Sequence, residues 1–184
     1  MKLGLNSGWE YAHIFDTKTG DLFLKKTTRS PNSVSFDRHE MELFRNSKNR
    51  LELTHNHPSS SSLSVPDLRM GTYDGVERVV AVGHDGSVYS AKSLADIESY
   101  HPVSKKIDQE IEHIFWPLIR SGDLEIEDAN MLHGHIRNQV FSRFGMLDYQ
   151  VENFGNTLSA SLDVFPDNPD DIVEQIHEIL EGEI

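Results

Sequence analysis

The dominant spacing of hydrophobic residues changes after Ala91, and that change decides which elements the chain can form. Before it strand-like runs predominate, broken by two short helical stretches, and from Ile107 apolar residues recur at every third or fourth position. Alternation suits strands, whose side chains point by turns to opposite faces; the longer period puts one apolar stripe on a helix. Trp9 to Phe15 predicts a strand, with Trp9, Tyr11, His13 and Phe15 on one face and Glu10, Ala12 and Ile14 on the other. Thr17-Lys18-Thr19-Gly20 predicts a turn and Asp21 to Lys26 the returning strand of a hairpin. Ser33 to Phe36, Leu51 to Thr54, Val76 to Val82 and Ser87 to Ala91 predict further strands, with helices over Arg38 to Ser47 and from Ser64. Ile107, Ile111, Ile114, Phe115 and Leu118 then mark an amphipathic helix that Pro117 should kink or end. Leu132, Ile136, Val140 and Phe144 mark another, stopped by Gly145. The expected fold class is α/β, a mixed central sheet flanked by helices.

The chain's 184 residues suit one domain with an appendage. The pattern weakens from Gln150 to Asn168, so residues 1–149 are expected to form the domain and 150–168 a linker. Residues 169–184 are expected as an acidic amphipathic helix spaced by Ile172, Val173, Ile176, Ile179 and Leu180. Asp167, Asp170 and Asp171 suit its N-terminal dipole. That helix either packs back on the domain or receives a partner protein. No apolar run approaches the roughly 20 residues that span a bilayer. Met1-Lys2-Leu3-Gly4-Leu5 lacks the apolar core of a signal peptide, so a cytoplasmic protein without membrane contact is expected. Export by a specialised system would leave no such mark. A net charge of -13 with no Lys/Arg cluster argues against nucleic-acid binding, which depends on phosphate neutralisation.

Cysteine is absent, so disulfides and thiol catalysis are excluded and any metal ligands must be His, Asp or Glu. The segment Thr54-His55-Asn56-His57-Pro58-Ser59-Ser60-Ser61-Ser62-Leu63-Ser64-Val65-Pro66-Asp67 meets that condition. Two histidines at the end of a strand reach one ion if the backbone turns there, and Pro58 and the serines supply the turn. A carboxylate from the next helix completes three protein ligands and leaves a fourth position for water, the arrangement of a catalytic zinc site. Simpler readings exist for each piece. H-x-H is a common spelling, and Ser64-x-x-Asp67 is close to a capping box with Ser64 at N-cap and Asp67 at N3. A cap and a metal ligand are compatible, because the cap fixes the helix that carries Asp67.

H-x-H-P, a short loop and S-x-x-D resemble the signature of the JAMM/MPN (JAB) zinc metalloprotease superfamily. The HNHP spelling with its serine-rich loop is most similar to the prokaryotic RadC-like and the phage- or toxin-associated JAB-like branches. The resemblance covers Trp9 to Tyr149 and implies a JAB/MPN-like, cytidine deaminase-like architecture. It implies Zn2+ held by His55, His57 and Asp67, with Ser64 stabilising the developing oxyanion. It also implies an upstream glutamate as general base, and Glu10 fits, with Glu40, Glu42 and Glu52 as rivals. The implied reaction is hydrolysis of a peptide or isopeptide bond in a protein or peptide substrate. The loop before Ser64 is one residue shorter than in most eukaryotic members, which speaks against close kinship with the eukaryotic deubiquitinases and leaves the ligand set untouched. Two other classes stay open: a zinc-free MPN-like scaffold, and a phage- or toxin-associated domain with other or vestigial hydrolase activity. His133-Gly134-His135 repeats the H-x-H spelling, but on a helix positions i and i+2 do not share a face. His13 and His84 read as structural, with His13 near enough to Glu10 to support it.

Overall fold

The computed structural model describes residues 7–46 and 48–182, so Ser47 of the first expected helix and the Met1–Leu5 segment lie outside it. A six-stranded mixed sheet runs in the order β2-β1-β3-β4-β5-β6. Its strands are β1 (Ala12–Asp16), β2 (Leu22–Lys26), β3 (Leu51–His57), β4 (Val76–Gly83), β5 (Val88–Ser93) and β6 (Leu147–Asn153). Among the described residues six helices accompany it: α1 (Arg38–Arg45), α2 (Val65–Met70), α3 (Ile97–Ser121), α4 (Ile126–Arg143), α5 (Asn156–Val164) and α6 (Pro169–Leu180). The mixed α/β class expected from the change of period is the one observed.

β3 and β4 are the parallel pair, and all other neighbours are antiparallel. Parallel strands need a crossover, and α2 lies in it. In open α/β sheets ligands gather outside the carboxyl ends of the strands. β3 ends at His57 and delivers the His-x-His pair to that position.

α4 is the organising helix. Leu132, Ile136, Val140 and Phe141 are fully buried, and it packs against α3, α5, α6 and β6. Gly145 follows it in the left-handed region, φ 68°, with the Met146 amide returning to the Phe141 carbonyl, so the predicted stop is realised. Leu63 and Leu68 tie the segment around α2 into the same core, which also receives Tyr89 and Tyr100.

Three expectations change. Ser33 to Phe36 forms no strand, and Phe36 packs edge-on against Phe44 of α1, 5.0 Å between rings, instead of extending the sheet. Pro117 does not end its helix: α3 runs on to Ser121 and stops at the left-handed Gly122. Both Pro117 and His113, whose carbonyl loses an amide partner, lie on the exposed side of the helix. Residues 150–168 are no linker, since they hold the end of β6 and all of α5, with Leu158 and Ser161 buried. The boundary expected after residue 149 therefore falls inside a strand of the central sheet. α5 draws its N-terminal hydrogen bond from far away in sequence, the Thr157 amide donating to Asp85 Oδ2 at 2.9 Å, so no local cap announces it. Of the two roles open to the last helix, packing back is the one observed: α6 buries Ile172, Val173, Ile176 and Leu180 and leaves Ile179 exposed. Among the described residues no helix is long and apolar enough to cross a membrane.

Candidate metal centre

The site is built by a strand, a turn and a capped helix. On β3 alternate residues share a face, so Leu53, His55 and His57 point one way and Glu52, Thr54 and Asn56 the other. After His57 the chain turns through Ser60, a non-glycine in the left-handed region at φ 59°. Several bonds hold it there: its amide donates to the His57 carbonyl, and its own carbonyl accepts from Tyr89 Oη at 3.1 Å. Gly83 stands opposite His57 in β4. A side chain on Gly83 would meet Ser87 Oγ at 2.2 Å and the Ser60 backbone at 2.9 Å, so this strand end must be glycine to admit the loop.

Ser64 then starts α2 through a capping box with Asp67 at N3. The Ser64 amide and hydroxyl both donate to Asp67 Oδ2, at 2.8 and 2.6 Å. Asp67 is thereby aimed at the histidines: Oδ1 lies 3.1 Å from His55 Nε2 and Oδ2 lies 3.5 Å from His57 Nε2. The two Nε2 atoms are 2.8 Å apart, and one ligand atom from each of the three residues lies within 4.8 Å of the others.

This buried His55–His57–Asp67 group can bind a metal ion. His57 Nδ1 faces the Ser61 carbonyl at 2.8 Å and donates to it, which leaves Nε2 with its lone pair toward the centre. Donors of this kind facing one point need positive charge among them, from a proton or a cation. The electrostatics agree. Burial would raise the Asp67 pKa, but His55 and His57 hold it well below the usual carboxylate range. Burial would lower the His57 pKa, yet its bond to Asp67 and that residue's charge lift it above the ordinary value. His55 Nδ1 is buried without a hydrogen-bond partner among the described residues, so the ring is held by its strand and by the contacts of Nε2.

Glu10 enters the same place through sheet register. Ala12 pairs with His55 and Ile14 with Leu53, so the face that carries Ala12 and Ile14 also carries Glu10 beside His57. Glu10 is 7 % exposed and, with His55, His57, Ser64 and Asp67, lines a cleft of about 410 Å³. Burial raises its pKa, against the opposing pull of His57 and His55. Pro31, Asn32, Ser33, Val34 and Phe36 line the cleft as well.

The three rival glutamates lie elsewhere. Glu40 is the N3 residue of α1, bonded to the Asp37 amide and paired with Lys26. Glu42 is exposed beside Arg38. Glu52 points to the other sheet face, where Arg78 Nη2 meets it at 2.6 Å. His13 shares the face opposite Glu10 and stacks on Phe15, so it does not support that residue. His133 lies 3.7 Å from Asp108. His135 is buried against Tyr149, its Nδ1 2.9 Å from the phenol, and burial pulls its pKa down to about 4. Neither joins a metal-binding group among the described residues.

Several residues without a sequence signal hold the loop in place. Asn138 of α4 is fully buried and donates to Ser62 Oγ at 2.9 Å and to the Leu63 carbonyl at 2.8 Å. Ser62 Oγ also meets Tyr149 Oη at 2.8 Å. These contacts set the stretch whose Ser61 carbonyl orients His57. Removing Asn138 strands buried acceptors, so Asn138→Ala should lower stability by about 1–3 kcal/mol. A urea titration should show a lower midpoint with an unchanged slope, and an unchanged midpoint would contradict the role assigned to Asn138.

No family model, curated protein or solved structure gives a significant match to this chain.

Proposed function

We propose that this chain is a zinc-dependent peptidase or isopeptidase of the JAMM/MPN type, and that the β3–α2 unit is its catalytic centre. The observation that carries this is the convergence of His55, His57 and Asp67, with a buried carboxylate, Glu10, in the same cleft. Two imidazoles and one carboxylate form a donor set that suits zinc and leaves a coordination position free for chemistry. Zinc bound there supplies Lewis acidity and lowers the pKa of a water ligand to about 7. The sheet order, with its parallel β3–β4 pair and crossover α2, supports placing the chain in a JAB-like architecture.

The residues divide the remaining work. Glu10 accepts a proton from the attacking water and returns it to the leaving amine, as the new C–O bond forms and the C–N bond breaks. The raised pKa of its buried carboxyl suits a group that must both take and give that proton. Ser64 lines the cleft. Its hydroxyl hydrogen, donated to Asp67 in this structure, is the one that would turn to the oxygen gaining charge. The Ser61 carbonyl keeps His57 in its ligand tautomer throughout.

Elemental analysis of the purified protein tests the reading. Zinc at about one atom per chain is expected, and its loss is expected in both His57→Ala and Asp67→Ala. A native protein without zinc after reconstitution at neutral pH would leave a scaffold with a capped helix at Ser64 and end the hydrolase reading.

A further inference from the structure

Glu10 lies just before β1, which begins at Ala12, so the ladder that fixes β1 to β3 does not by itself fix the proposed base. At the next position along, Tyr11 and Asn56 meet in an incomplete backbone pair. The Asn56 amide reaches the Tyr11 carbonyl at 3.3 Å, but the Tyr11 amide donates to the Asn56 side chain, Oδ1, at 2.8 Å. Asn56 Nδ2 then donates to the Trp9 carbonyl at 3.1 Å. One carboxamide thus takes the place of ladder bonds on both sides of Glu10.

Asn56 is 3 % exposed, and its Oδ1 and its Nδ2 both have partners. The second Nδ2 hydrogen reaches His84 Nε2 at 3.2 Å. The orientation of the amide is fixed by its partners, since a backbone N–H only donates and a backbone carbonyl only accepts. From the other side Glu10 is tied by its own amide to the Ser30 carbonyl at 2.8 Å and by Thr27 Oγ1 to its carbonyl at 2.7 Å. Those bonds join Glu10 to the β2–α1 loop; Asn56 joins its segment by side chain to the strand of the metal-binding histidines.

We infer that Asn56 is the positioning residue of Glu10: lying between His55 and His57 and facing away from them, it clamps the Trp9–Tyr11 backbone so that the Glu10 carboxyl keeps its place beside the metal ligands. The inference rests on the reading of Glu10 as the base. It assigns the middle residue of the H-N-H triplet a task separate from metal binding. Because the clamp grips backbone, a change at Asn56 moves Glu10 and leaves His55, His57 and Asp67 on their own supports. A displacement of about 1 Å in a reacting group costs on the order of 100-fold in rate.

The test uses the full chain loaded with zinc, as Asn56→Ala and Asn56→Asp. In Asn56→Ala, zinc stoichiometry is expected to stay at the wild-type value and the Tyr11 amide to exchange with solvent faster by at least about tenfold. Peptide hydrolysis should lose about 100-fold in kcat with KM unchanged. In a Glu10→Gln background the same substitution should cost no further rate, because Asn56 acts through Glu10. Asn56→Asp keeps an acceptor for Tyr11 but turns a second oxygen toward the Trp9 carbonyl, so Tyr11 should stay protected while kcat still falls. A zinc-loaded Asn56→Ala with wild-type Tyr11 exchange or wild-type kcat would overturn the inference. Should Asn56→Ala fail to fold, wild-type kcat in the near-isosteric Asn56→Asp overturns it instead. A wild-type protein that holds no zinc, or cleaves nothing, overturns the peptidase reading, and Tyr11 exchange in Asn56→Ala then still decides whether the clamp exists.

Discussion

Glu10→Gln is expected to abolish hydrolysis while leaving the zinc in place. Gln matches Glu in size but cannot accept a proton, and general-base contributions are about 10²- to 10⁴-fold. A rate loss of that order should appear in kcat, read as new termini released from a peptide library and counted by mass spectrometry. Stability should move the other way. The Glu10 pKa is raised in the fold, chiefly by burial, so the folded state holds the carboxylate less willingly than the unfolded chain does. A group shifted in that direction contributes its stability below its unfolded pKa and loses it as pH rises through the folded value. At neutral pH the charge is therefore a burden on the metal-free fold, and metal-free Glu10→Gln should be at least as stable as metal-free wild type. Lost activity with retained zinc and undiminished stability is the mark of a functional group kept at the expense of the fold. Glu42→Gln and Glu52→Gln, which change an exposed surface acid and the Arg78 partner, should leave the rate unchanged. Undiminished cleavage by Glu10→Gln would remove Glu10 from the mechanism.

The legible part of the site was the part built from neighbours in sequence. His55, His57, Ser64 and Asp67 lie on one strand–turn–helix unit, and the geometry that joins them is local: a period of two on β3 and a capping box on α2. Glu10 could be singled out because alternation set it with Ala12 and Ile14, and the observed register carries that face to His55. The same alternation hid Asn56. It turns Asn56 away from the metal ligands, and its partners Trp9 and Tyr11 are reached only once β1 lies beside β3. Asn138 and Tyr149 were silent for the same reason, since they meet Ser62 only after α4 and β6 close over the loop. The end of β6 and all of α5 read as a linker because their stabilising contacts are distant: β6 pairs with β5, and the first turn of α5 is bonded by Asp85. Pro117 shows the converse. Its local rule was sound, but its position on the exposed side of α3 let the helix continue.

Zinc should raise the melting temperature by an amount large enough to separate this site from adventitious binding. A ligand that binds only the folded state at about 1,000 times its Kd adds about 4 kcal/mol. For chains of this size each kcal/mol moves the midpoint by roughly 2–4 °C, so a rise of roughly 8–16 °C is expected by calorimetry. The chain's 10 histidines give the unfolded state some affinity of its own, which places the outcome toward the lower end. The fold prepares the gain. Asp67 is already held by Ser64 and faces both histidines, and His57 is already in its ligand tautomer, so little ordering remains to oppose binding. Asp67→Asn tests the ligand set in particular, because it keeps the side-chain shape but removes the anionic donor. The zinc-dependent rise should largely vanish in that variant. A rise that survives Asp67→Asn would place the metal elsewhere on the chain, and no rise in the native protein would leave the three converging side chains as a buried hydrogen-bonded cluster held together by a proton.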